Sequence, residues 1–135
     1  RLGNVYIVGQ QSKDRMPAIW ALPDVSLVLL RKRATFETVI PSKIFEAMAM
    51  GKPMIGSAVA DLPEVLGGCG WVVPPDDAPA IAERLRWLFA HPAAAAAAGR
   101  ALRKRCEDLY SQRVTERVLL ELVCELTGWV PPAIH

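Results

Sequence analysis

The sequence predicts an α/β fold, a parallel sheet with helices on both faces followed by a helical tail, and three observations carry that expectation. Short runs rich in Val, Ile and Leu alternate with segments that carry helix signals. These runs lack the polar alternation of a half-solvated strand, so they read as strands covered on both sides. Beyond Pro74 and Pro75 the pattern changes to apolar residues at helical spacing.

Taken in order, the first expected strand is residues 5–8 (Val-Tyr-Ile-Val), ended by Gly9. Residues 14–22 follow as a short helix, with Pro17 tolerated only in its first turn. Residues 25–30 form the second strand. Residues 42–50, rich in Ala and Met, form a helix stopped by Gly51. The third strand is residues 54–57. Asp61 is placed to cap another short helix, with Glu64 completing a capping box. Residues 71–73 form a fourth, weaker strand.

The tail opens with Ile81, Leu85 and Leu88 on one stripe and Glu83, Arg84 and Arg86 off it. Pro92 starts the next helix, which runs through six alanines to Leu102, Cys106 and Leu109. Ser111 caps a last helix whose Val114, Val118, Leu122 and Leu126 face one way, closed by Gly128. Organisation is therefore one domain over 1–135, with an α/β core at 1–75 and helices at 76–128.

Composition narrows the class. The chain has 135 residues, 52% hydrophobic and 22% charged, which suits one globular core. The net charge of +2 is too small to predict bulk nucleic-acid binding. Cys69, Cys106 and Cys124 leave an odd thiol and no metal-ligand spacing, so buried thiols in a reducing, cytoplasmic compartment are expected. The absence of an initiator Met or signal-like start leads us to expect a chain that begins in mid-protein.

Parallel sheets of this kind bind ligands at the edge where the strands end. The loops expected there are residues 9–12, 31–41 and 57–63. At Pro41 and Ser42 a loop turns into a helix, where free amides and the positive dipole end suit a phosphate. Lys43 adds a mobile positive charge. Glu46 stands about one turn further in, and a carboxylate there can accept from the vicinal hydroxyls of a ribose. The same residues also describe an ordinary helix start.

The run Phe45-Glu46-Ala47-Met48-Ala49-Met50-Gly51-Lys52-Pro53-Met54-Ile55 resembles the Glu-Ala-Met-Ala-x-Gly-x-Pro-Val-Ile core of retaining GT-B glycosyltransferases of group 1. Residues 4–9, 23–28 and 62–65 resemble further stretches of that family in the right order. Residues 70–76 are similar to its Gly-x-Leu-Val-Pro-Pro-Gly-Asp segment. The resemblance implies a Rossmann-like sheet, half of a GT-B fold, that binds a nucleoside diphosphate sugar as substrate without a metal or other cofactor. It implies transfer of the sugar to an acceptor hydroxyl with retention, in polysaccharide or glycoconjugate synthesis. The domain that holds the acceptor is then missing, and this piece by itself is expected to be inactive.

The resemblance also assigns roles. Glu46 takes the place of the family's ribose-binding Glu, the second of a Glu, seven residues, Glu pair. The first Glu falls on Thr38, with Glu37 next door, and these two are the candidates for contact with the donor sugar; no catalytic residue is assigned. Ser42, Lys43 and the amides around Val39 and Ile40 are the candidates for the diphosphate or sugar, and Gln10 and Gln11 for the base. Ala60 and Asp61 stand where many members carry glycine. The Pro-Ser-Lys variant at 41–43 also occurs in members that act on bacterial surface polysaccharides.

Other basic groups weigh less. Arg31, Lys32 and Arg33 can neutralise phosphate or simply face water. Arg100, Arg103, Lys104 and Arg105 leave open a peripheral contact with the inner membrane, against the plainer reading of a solvated helix face. His91 reads as structural. An uncovered sheet edge predicts self-association of the piece. The alternative to an enzyme is a noncatalytic α/β module for protein contacts, favoured by Thr38 in place of the first Glu.

Overall fold

The computed structural model describes residues 3–32 and 40–130. Glu37, Thr38 and Val39, the candidates for sugar and phosphate contact, lie outside the described residues, as does Arg33.

Three parallel strands form one sheet in the order β1 (Ser26–Val28), β2 (Met54–Ser57), β3 (Trp71–Val73). Ser26 pairs with Met54 and Ile55 with Trp71. The helices are α1 (Met16–Ala21), entered through a single 3-10 turn at Lys13–Arg15, then α2 (Lys43–Ala49) and α3 (Leu62–Leu66). The tail is α4 (Ala78–Ala90), α5 (Pro92–Leu109) and α6 (Gln112–Thr127). Among the described residues no helix is long and apolar enough to cross a membrane.

The alternation of side chains along β2 divides the core. Met54 joins Ile44, Ala47 and Met48 of α2, Leu62, Val65 and Leu66 of α3, and Leu102 and Cys106 of α5. Ile55 joins Val73 and Leu88, with Ile81 and Leu85 of α4 packed against them. Helices thus cover both faces, as expected. All four residues of β2 are buried, and each wholly buried aliphatic side chain contributes about 1.5–3 kcal/mol. α5 joins the two clusters, since its Ala95 packs with the second and its Leu102 lies in the first.

Local chemistry explains the boundaries. Asp77 accepts from the Ala80 amide at 2.9 Å and caps α4; Ser111 accepts from the Val114 amide at 3.4 Å and caps α6. Gly67 and Gly128 end α3 and α6 in the left-handed conformation. Arg105 of α5 completes the end of α3, donating through Nε to the Val65 carbonyl and through Nη2 to that of Glu64, each at 2.9 Å.

Three expectations are corrected. Residues 5–8 do not form a strand: Tyr6 is 84% and Ile7 94% exposed. A strand needs a neighbour to satisfy its backbone groups, and these residues have no ladder partner among the described residues. Asp61 does not cap α3 through its side chain, because it follows the left-handed Ala60 and is itself near-helical rather than extended. The strand expected at 25–30 is shorter, and Leu27 and Leu29 are each 43% exposed, since β1 forms the sheet edge.

Candidate functional site

α2 lies in the chain between the parallel neighbours β1 and β2, so its first turn falls toward the edge where the strands end. Ile44 donates its amide to Pro41 O (3.1 Å), Phe45 to Ser42 O (3.0 Å) and Glu46 to Ser42 O (3.3 Å). The amides of Ser42 and Lys43 donate to no described residue, which is the ordinary state of a helix start. Both side chains are exposed, and the Ser42 hydroxyl makes no capping bond. Ile40 instead packs its side chain against the first core cluster, leaving only its backbone for any ligand.

Glu46 is exposed, yet its carboxylate is oriented. Trp20 of α1 donates its indole Nε1–H to Glu46 Oε2 at 2.9 Å. Among the described residues Oε1 accepts nothing, and Glu46 joins no ion pair. The carboxylate forms part of the wall of a groove of about 440 Å³, completed by Lys13, Met16, Pro17, Trp20, Ala49 and Met50. The surface is mostly apolar, with one acid and one lysine.

The remaining candidates are distributed differently. Gln11 folds back on its own loop, donating Nε2–H to the Val8 carbonyl at 2.7 Å, and Gln10 is exposed; neither lines the groove. Arg31 sits at the strand-end edge, 3.4 Å from Asp76, with both side chains exposed. Arg103 and Lys104 pair with Glu107 and Asp108 along α5, and Arg105 is engaged with α3. The Lys104 ammonium is held above its ordinary pKa, first by its hydrogen bond to Asp108 and then by that carboxylate's charge. His91 stacks on Trp87 at 4.3 Å, its Nδ1 2.7 Å from the Trp87 carbonyl.

Trp20, Met16 and Lys13 also line the groove and lie outside the motif that marks Glu46. One signal existed for Trp20: an indole N–H within a short helix needs an acceptor once it is half-buried. Which acceptor it meets depends on how α1 lies against α2.

Sheet order and crossovers define an α/β domain of the Rossmann-like class. The chain belongs to the family of group 1 glycosyl transferases, whose pattern it matches over residues 1–91. WcaL of Salmonella typhimurium, which carries the name of a colanic acid biosynthesis glycosyltransferase, is 34% identical over 88 residues, covering 62% of this chain and 21% of that protein. Among solved structures, sucrose-phosphate synthase from Thermosynechococcus elongatus superposes with a TM-score of 0.80 at 28% identity, over 92% of this chain and 30% of the other. A Rickettsia africae glycosyltransferase gives 0.69 at 22%, and Anabaena Alr3699/HepE, solved with UDP-glucose, 0.71 at 16%; each match covers 82% of this chain and 30% of the other. The fold is thus the Rossmann-like arrangement of GT-B glycosyltransferases. The chain spans a fifth to a third of the length of these relatives.

Proposed function

We propose that this chain is the donor-binding part of a retaining glycosyltransferase that moves a sugar from a nucleoside diphosphate to an acceptor hydroxyl in polysaccharide or glycoconjugate synthesis. The observation that carries the reading is the Glu46 carboxylate, one turn into α2 on the wall of an open groove, with one oxygen that accepts from no described residue. Family membership and the name of the WcaL relative support the reaction class and the polysaccharide link. The UDP-glucose bound to the Anabaena relative supports a nucleotide sugar as donor.

In this reading Glu46 accepts from the ribose hydroxyls, and the helix-start amides at Ser42 and Lys43 with the Lys43 ammonium receive the diphosphate. Those donors would stabilise negative charge as the leaving group departs. Both substrates must meet in one dry cleft, so transfer needs the remainder of a longer parent. Binding of UDP and GDP to the chain, measured by calorimetry, tests the reading. Losing a hydrogen bond to a charged acceptor costs about 1.5–3 kcal/mol, so Glu46→Ala should weaken the better nucleotide by roughly 10- to 100-fold. Unchanged affinity would remove Glu46 from the site.

A second reading, a noncatalytic protein-contact module, is favoured by Thr38 in place of the family's first Glu and by the uncovered apolar face of α6. Absence of any nucleotide-induced shift in an NMR titration would select it.

A further inference from the structure

Helix α1 has no buried residue and only six residues, so its own packing does little to fix it. Among the described residues two hydrogen bonds distant in sequence hold it in place. Lys52, in the turn after α2, donates from Nζ to the Ala21 carbonyl at 2.8 Å. Trp20 donates to Glu46 Oε2 at 2.9 Å, while its ring packs on the edge of the first core cluster. An indole N–H can only donate, and a carboxylate can only accept, so the pair has one sense.

We propose that Trp20 is a positioning residue for the Glu46 carboxylate, selecting the side-chain orientation in which Oε1 faces a ribose hydroxyl. The inference rests on Glu46 being the ribose contact, and it deepens that reading. An exposed Glu on a helix samples several rotamers and loses that freedom on binding a ligand. Here one oxygen is already engaged by a half-buried ring that cannot swing with it, so much of the ordering precedes binding. The same ring forms part of the groove wall beside Met16, Pro17 and Met50, so the indole both shapes the site and orients its acid.

The test compares affinities for UDP and 2′-deoxy-UDP, and for GDP and its 2′-deoxy form, by calorimetry on the chain and its Trp20→Phe and Glu46→Ala variants. Trp20→Phe keeps an aromatic ring and removes the donor. It should weaken the ribonucleotide by about 5- to 10-fold, leave the deoxy form nearly unchanged, and so shrink the preference for the 2′-hydroxyl. Added to Glu46→Ala, it should alter that preference no further. Equal weakening of both nucleotides by Trp20→Phe, with Glu46→Ala still abolishing the preference, would overturn the positioning role while leaving Glu46 in the site. An unchanged preference in Glu46→Ala, or no nucleotide binding at all, would overturn both. If Trp20→Phe fails to fold, the indole proton of Trp20 is followed by NMR in the unsubstituted chain and in Glu46→Gln. A clear shift between the two supports the proposal, and identical resonances overturn it.

Discussion

Gly99 of α5 passes so close to Gly51 that the Gly51 carbonyl occupies the place a side chain on Gly99 would need. This contact lets α5 lie directly on the end of α2, with Leu102 and Cys106, three and seven residues on, completing the buried seam. It therefore sets how closely the helix bearing Glu46 is backed by the tail.

Gly99→Ala should be destabilising despite the higher helix propensity of alanine. The propensity gain is about 1 kcal/mol, whereas forcing a methyl group against backbone in a packed seam costs typically 1–3 kcal/mol and occasionally more. Here the obstruction is a carbonyl that cannot rotate aside, so the net loss should be about 1–2 kcal/mol. The urea unfolding midpoint reads it, and an unchanged or raised midpoint contradicts the seam.

Ala60 predicts the opposite sign. It adopts φ +50° before α3, where alanine is strained. The left-handed conformation costs a non-glycine residue roughly 1–2 kcal/mol, against about 0.5–1 kcal/mol for the extra flexibility of glycine in the unfolded chain. Ala60→Gly should raise stability by roughly 0.5–1 kcal/mol. Thermal unfolding checks this. Asp76, at φ +59°, tolerates the conformation better and pairs with Arg31, so Asp76→Gly should gain less.

Arg105→Ala removes two donors from the carbonyls that end α3. Part of the guanidinium meets solvent, so the expected loss is about 1–2 kcal/mol, toward the lower end for hydrogen bonds to charged groups. Arg105→Lys, which lacks the fork, should recover less than half of it. Denaturant titration of the two variants separates charge from geometry.

The Cys106 thiol is pushed above its ordinary pKa, first by burial and then by the nearby Glu107 carboxylate. Its thiolate is therefore scarce at neutral pH, and alkylation in the folded chain should be slower at Cys106 than at the half-buried Cys69 and Cys124. The difference should vanish in denaturant. Mass spectrometry after timed iodoacetamide treatment checks the order.

The leucines of α6 are exposed, Leu122 by 49% and Leu126 by 76%, and the helix buries no residue. Replacing both with Ser should leave the unfolding free energy within about 0.5 kcal/mol, because nothing packed is lost. A larger drop would mean that α6 lies against the body of the chain.

Sequence by itself determined the local order of this protein. The apolar runs expected at 25–30, 54–57 and 71–73 contain the three parallel strands, and Ser111 and Gly128 bound α6 where a capping hydroxyl and a left-handed glycine dictate. Propensity acts within a few residues and can be read along the chain, whereas capping at Asp61 failed because the backbone before α3 turns through the left-handed Ala60. Tertiary structure alone decided the rest. Residues 5–8 carry a strand pattern without forming one, because a ladder needs a partner that pattern cannot supply. The run at 45–55 pointed to Glu46, but the indole that orients it lies 26 residues away, and their meeting depends on how two short helices pack.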